Sequence, residues 1–285
     1  MSLSHYIKLT RLNQPTGIWL LFLPCLFGIS LALRKLPDAN LLEILRVIFL
    51  FFLGSVVMRS AGCVINDLLD QKFDEKVSRT KSRPLAAKEV SRFEAFILLG
   101  LLLILGLVIL LQFNLPTILS GFIALTLAAT YPLMKRITYY PQVFLGLTFN
   151  FGIIMSSLAL LGNFGISTII LYLAAIIWTV IYDTAYAYQD IEDDLKIGVK
   201  STAIKFRKNP QKILTALNLA MFTMLMILGW KENFGINFFL AILLADLFLN
   251  KKIKTCIFTD ANDCLKVFKA NILVGFLILI AIIFG

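Results

Sequence analysis

Nine apolar runs dictate most of what this chain can become. They fall near residues 17–33, 46–66, 93–112, 116–133, 142–161, 165–185, 212–230, 235–249 and 267–284, and all but the eighth match the roughly 17–25 residues that carry an α-helix across a bilayer. The eighth is short and contains Asp246, and the third and fourth are parted only by Phe113-Asn114-Leu115-Pro116. In lipid, backbone N–H and C=O groups must find partners within the segment, so runs of this length are read as helices. Composition agrees. With 59% hydrophobic and 15% charged residues and a mean hydropathy of +0.86, the chain lies above the roughly 45–50% apolar share of a soluble domain. It reads as all-α integral membrane: nine transmembrane helices in a single polytopic domain over residues 1–285.

The first run follows Lys8 and Arg11 and superficially resembles a signal peptide, but Arg34-Lys35 follow it without a small-x-small cleavage pattern, so it is read as a retained span. Placing the N-terminus inside puts 22 of the 27 Lys and Arg in inside segments and four in outside loops, with Arg59 within a span. That is the bias of a membrane protein with N-in, C-out topology. The same bias accounts for the formal net charge of +10 without invoking nucleic acid. The four cysteines, Cys25, Cys63, Cys256 and Cys264, show no CxxC spacing and read as reduced packing residues. His5 is the single histidine, which leaves histidine-based catalysis little to work with. No Arg/Ser-rich presequence is visible, which favours a bacterial inner membrane, a processed mitochondrial form remaining open.

Against this apolar background, acid is concentrated in two places. Asn66, Asp70 and Asp74 repeat at i, i+4, i+8 with Asp67 beside them; Asp183, Tyr186, Asp190 and Asp194 follow i, i+3, i+7, i+11 with Glu192 and Asp193 adjacent. Both patterns stack oxygens on one helix face. Nine of the 17 acidic residues lie in 67–75 and 183–194, at the inside ends of the second and sixth spans. Each column runs into a basic loop, one with Arg79, Lys81 and Arg83, the other with Lys200, an echo that suggests a duplicated half. Solvated helix ends are the bland alternative, and two such columns on one side of the membrane argue against it. So many carboxylates repel one another unless cations lie between them; Mg²⁺, a hard cation, takes carboxylates, waters and substrate phosphates, and the basic loops supply groups for the remaining phosphate oxygens. A cavity open to lipid then points to an isoprenoid diphosphate, whose departing charge the metals and basic residues would stabilise. Arg59 lies on the face of Asn66 and Asp70 about two turns deeper, where a charge needs a partner or a wet cavity.

The pattern Asn66-Asp67-x-x-Asp70-x-x-x-Asp74 with Arg79-Thr80-Lys81-Ser82-Arg83-Pro84-Leu85, then Asp190-x-x-x-Asp194 with Gly198-Val199-Lys200-Ser201-Thr202-Ala203, resembles the intramembrane aromatic prenyltransferase family. Arg11-x-x-x-Pro15-x-Gly17, Tyr131-Pro132-Leu133-Met134-Lys135-Arg136, Pro141-Gln142 and Leu147-Thr148-Phe149-Asn150 are similar to its 4-hydroxybenzoate polyprenyltransferase branch, which serves ubiquinone synthesis. The resemblance implies nine helices around a central cavity with cytoplasmic cap loops after the second and sixth spans. It also implies Mg²⁺-dependent ionisation of a polyprenyl diphosphate and alkylation of 4-hydroxybenzoate ortho to its hydroxyl. By position, Asn66, Asp70 and Asp74 would take one metal and Asp190 and Asp194 another, with Asp67 and Asp193 behind them. Arg79, Lys81, Arg83 and Lys200 would hold the diphosphate, Arg59 reaching it from below. Arg136 is assigned the acceptor's carboxylate, and Tyr186 a place in the pocket. A family member with a naphthoate, homogentisate or haem acceptor and an ion transporter are the alternatives; tail length and oligomeric state stay open.

Overall fold

The computed structural model describes residues 3–285, and among them the fold is all α-helix, with no strand. In chain order the helices are α1 Leu3–Leu9, α2 Thr16–Leu33, α3 Leu41–Asp74, α4 Arg92–Leu110, α5 Leu115–Ile137, α6 Pro141–Phe149, α7 Gly152–Leu161 and α8 Ile166–Ala187. After a 3₁₀ turn at Tyr188–Asp190 come α9 Ile191–Ile197, α10 Thr202–Phe206, α11 Pro210–Lys231, α12 Ile236–Thr255 and α13 Ala261–Phe284. Each of the nine apolar runs is helical. Eight spans are long and apolar enough to cross a membrane, α6 with α7 and α8 with α9 each counting as one. By composition α12 falls short, because Asp246 interrupts it and Lys251, Lys252 and Lys254 close it.

The third and fourth spans are separate, for a local reason. Asn114 caps α5, its side chain accepting from the Thr117 N–H at 3.1 Å, and Pro116 occupies the first turn, where no N–H is needed. The fifth run breaks at Asn150–Phe151 into α6 and α7. The second runs longer than its apolar stretch: α3 spans 34 residues, about 51 Å at 1.5 Å per residue, against a hydrocarbon core of about 30 Å. Its polar last turns therefore stand at the mouth of the bundle.

The tightly packed half comprises α2, α7, α8 and α11–α13, closed around Trp178, Phe27, Tyr182 and Phe238. Trp178 donates to Asn271 at 2.9 Å, so a buried indole N–H is satisfied. Close approach of α2 and α7 needs Gly28, where a Cβ would fall 2.6 Å from the Ile153 carbonyl oxygen, the small-residue contact of membrane helices. The other half, α3 to α5, is looser. α4 turns Phe93, Ile97, Leu101 and Val108 outward, a surface that only lipid or another apolar body covers. The protein is an integral, multi-pass membrane protein. At one end of the bundle, Arg34 of the loop after α2 donates to the carbonyls of Gly285 and Glu232; the acidic columns gather at the other.

Candidate active site

Between the two halves lies a cavity of about 1320 Å³. Its wall is apolar where α4 and α5 supply Leu103, Leu107, Leu110, Phe122 and Leu125, and polar at the mouth, where Asn66, Asp67, Asp70 and Asp74 of α3 share it with Asp190 and Asp194. The two columns meet on one cavity. The second is not one regular α-helix: a 3₁₀ turn at Tyr188–Asp190 separates α8 from α9, yet Asp183, Tyr186, Asp190 and Asp194 all remain on the lining.

The segment joining α3 to α4 ties the columns together. Leu85 and Val90 pack with Leu9, Val64, Leu68 and Ala95, and Gln71 donates to the Leu85 carbonyl at 3.0 Å. Arg79 and Arg83 are thereby held over the mouth, one toward each column. Arg79 grips Asp190 with two nitrogens, the Nε contact at 2.8 Å, and donates at 2.8 Å to the Tyr186 hydroxyl. Arg83 binds Asp74 at 2.8 Å and Asp67 at 3.2 Å. Asp67 is 1% exposed and also receives Arg11 at 2.6 Å. Lys135, at the end of α5, pairs with Asp70. Burial alone would lower the pKa of Arg79, but the hydrogen bond to Asp190 and the nearby Tyr186, Asp190 and Asp74 raise it above its ordinary value.

Among the described residues no three carboxylates, cysteines or histidines converge to hold a metal ion. The sequence pattern places metal between the carboxylates; in this structure Arg11, Arg79, Arg83 and Lys135 stand there, relieving the same repulsion. The donor set nonetheless fits a hard divalent ion. It consists of oxygens alone, and Asp67 Oδ2 and Asp70 Oδ1 are buried with no hydrogen-bond partner among the described residues.

Three assigned residues lie off the cavity. Lys81 is exposed and outside the lining. Asp193 turns to the Ser78 N–H at 3.0 Å and to Lys196. Arg136 donates to the Leu69 carbonyl at 3.0 Å, covers the Phe73 ring and approaches Asp70 Oδ1 only to 3.7 Å. Adjacent helical residues point about 100° apart, so when Lys135 faces inward Arg136 cannot. Tyr131 and Lys135, four residues apart, both line the cavity, a spacing that would have identified the lysine. Lys200 borders the lining, its ammonium on the Ile137 carbonyl and its own N–H on the Lys135 carbonyl; Gly198, with φ +74°, supplies the left-handed turn that brings it there. Arg59 lies deep in the cavity against α2, where Gly17 leaves it room: a Cβ there would stand 2.4 Å from Nε.

The sequence matches the UbiA prenyltransferase family over residues 21–280. The chain belongs to that family. Among UbiA relatives, the mitochondrial 4-hydroxybenzoate polyprenyltransferase of Bos taurus is 42% identical over 99% of this chain and 76% of its own length. The human enzyme of that name is 40% identical over 99% and 76%, and the one from Arabidopsis thaliana 41% over 98% and 68%. The UbiA fold is also seen in the apo structure of a UbiA homolog from Aeropyrum pernix K1, with a TM-score of 0.75 and 22% identity over 93% of this chain and 96% of that one. A UbiA homolog from Archaeoglobus fulgidus bound to GPP and Mg²⁺ matches with a TM-score of 0.68 and 19% identity over 96% and 99%.

Proposed function

We propose that this chain transfers a polyprenyl group from polyprenyl diphosphate to the ring carbon ortho to the hydroxyl of 4-hydroxybenzoate, releasing diphosphate, in ubiquinone biosynthesis. The carrying observation is the meeting of both acidic columns, with Arg79, Arg83 and Lys135, at the mouth of a cavity whose deeper wall is apolar. A headgroup site opens directly onto a tail site. Near-full-length identity of about 40% to relatives bearing that enzyme name supports the acceptor.

Asn66, Asp70 and Asp74 on one side and Asp190 and Asp194 on the other would hold divalent ions, with Asp67 behind. A divalent ion such as Mg²⁺, when held by these residues, would supply positive charge against the diphosphate. Arg79, Arg83 and Lys135 orient the phosphate oxygens. Arg59 takes the acceptor's carboxylate in place of Arg136: it lines the cavity about 10 Å below Asn66 along α3, whereas Arg79 and Arg83 stand at the mouth. Apolar walls keep water from the allylic cation, and Tyr186 and Phe149 turn ring faces toward Arg79 and Arg59. By charge bias the mouth faces the cytoplasm of a bacterial inner membrane, or the matrix if the chain is mitochondrial, the mitochondrion being the compartment that the names of its relatives carry.

Washed membranes carrying the chain, radiolabelled 4-hydroxybenzoate and a polyprenyl diphosphate test this. Prenylated product should form with Mg²⁺ and vanish with EDTA. Prenylation of another phenol while 4-hydroxybenzoate stays untouched would overturn the acceptor.

A further inference from the structure

The metal columns leave one cavity carboxylate unused. Asp183 lies on α8 seven residues before Asp190, as Arg59 lies on α3 seven residues before Asn66, so both stand about 10 Å below the mouth. They are on different walls, and each lines the cavity. Asp183 is within the field of Arg59, but no ion pair within 4.0 Å joins them among the described residues. Gln142 lies beside Asp183 on the lining; its Oε1 accepts from the Thr202 N–H at 3.0 Å, so its amide NH₂ is the group left for the carboxylate. Opposite charges that face without closing invite a ligand carrying an anion at one end and a hydroxyl at the other.

We propose that Asp183 receives the hydroxyl proton of the aromatic acceptor, an inference that rests on the reading of the chain as a prenyltransferase of a hydroxylated benzoate. With the carboxylate of the acceptor on Arg59, its para hydroxyl donates to Asp183. The allylic C–O bond breaks and its electron pair leaves with diphosphate. A ring π pair ortho to the hydroxyl forms the new C–C bond while the O–H proton passes to Asp183, giving a neutral dienone. The ring C–H proton then goes to a diphosphate oxygen as Asp183 returns its proton to the ring oxygen. Asp183 ends as the carboxylate it began as, and no further reactant is needed.

Asp183→Asn tests this in the same membranes. Turnover of 4-hydroxybenzoate should fall by about 10²-fold or more, the usual contribution of a positioned base, while the KM for the polyprenyl diphosphate and acceptor-independent hydrolysis of the donor hold. With 3-fluoro-4-hydroxybenzoate, whose phenol is more acidic and whose second ortho carbon is free, the loss relative to the parent chain should shrink. An equal loss with both acceptors, or parental turnover, overturns the assignment. If Asp183→Asn does not insert, Asp183→Glu gives the same reading: slowed acceptor turnover with donor KM retained supports it, and an equal fall in both removes it. Failure of the parent chain to prenylate either acceptor defeats the functional reading, not the role of Asp183 within it.

Discussion

Asp70 shows how one side chain couples the columns to the rest of the site. It is 3% exposed and paired with Lys135, and its Oδ1, with Arg136 no nearer than 3.7 Å, has no hydrogen-bond partner among the described residues, an arrangement that a further cation would satisfy. Asp70→Ala or Asp194→Ala should abolish product formation in membranes that still contain the inserted protein; full activity in either would exclude shared metal binding by the two columns. Arg59→Ala should raise the KM for 4-hydroxybenzoate about 10- to 100-fold, the worth of a charge-assisted hydrogen bond, with little change in donor KM. Arg136→Ala should move it far less, since that guanidinium is spent on the Leu69 carbonyl and the Phe73 ring. At this scale the acidic residues were legible because only oxygen at helical spacing stands out from apolar sequence. Choosing between Lys135 and Arg136 was not, because it depends on the rotation of α5, which adjacent residues do not reveal.

At the scale of elements, the spans were legible because length and hydropathy are one-dimensional. The outward continuation of α3 and the break at Tyr188–Asp190 were not, since each is decided by what the helix meets beyond the bilayer. The connection from α3 to α4 is the element on which the site turns, as among the described residues only Arg83 forms an ion pair with Asp74 whereas Asp67 has Arg11 as well. Arg83→Gln should therefore destabilise the detergent-solubilised protein by about 1.5–3 kcal/mol, the cost of stripping a hydrogen-bonded charge from a buried partner. Added Mg²⁺ should raise the thermal midpoint of this variant more than that of the parent chain, because a bound ion favours the folded state by mass action and takes up charge the lost guanidinium had balanced. No Mg²⁺-dependent shift in either protein would show that the columns do not bind the metal.

For the whole molecule, the arrangement separates two jobs. The dense half around Trp178 fixes where α8 and its carboxylates stand, and the looser half of α3 to α5 gives the cavity an apolar wall only one helix layer thick. Leu107 of α4 and Phe122 of α5 line the cavity and are exposed, while Leu101 and Val108 on the same α4 are exposed and off the lining, so a single helix separates the compartment from the layer lipid occupies. A polyprenyl tail longer than the cavity can thus leave it between α4 and α5 without disturbing the headgroup. Donor length should then matter little once the first isoprene units fill the interior. Across donors of increasing length, donor KM should stay within about tenfold, or 1.4 kcal/mol, and the 4-hydroxybenzoate KM should not change. A sharp length cutoff in membranes would mean that the wall is closed and that the tail is measured inside the protein. Replacing Leu107 or Phe122 with Trp should create such a cutoff where none existed, with short donors still transferred at the parental rate.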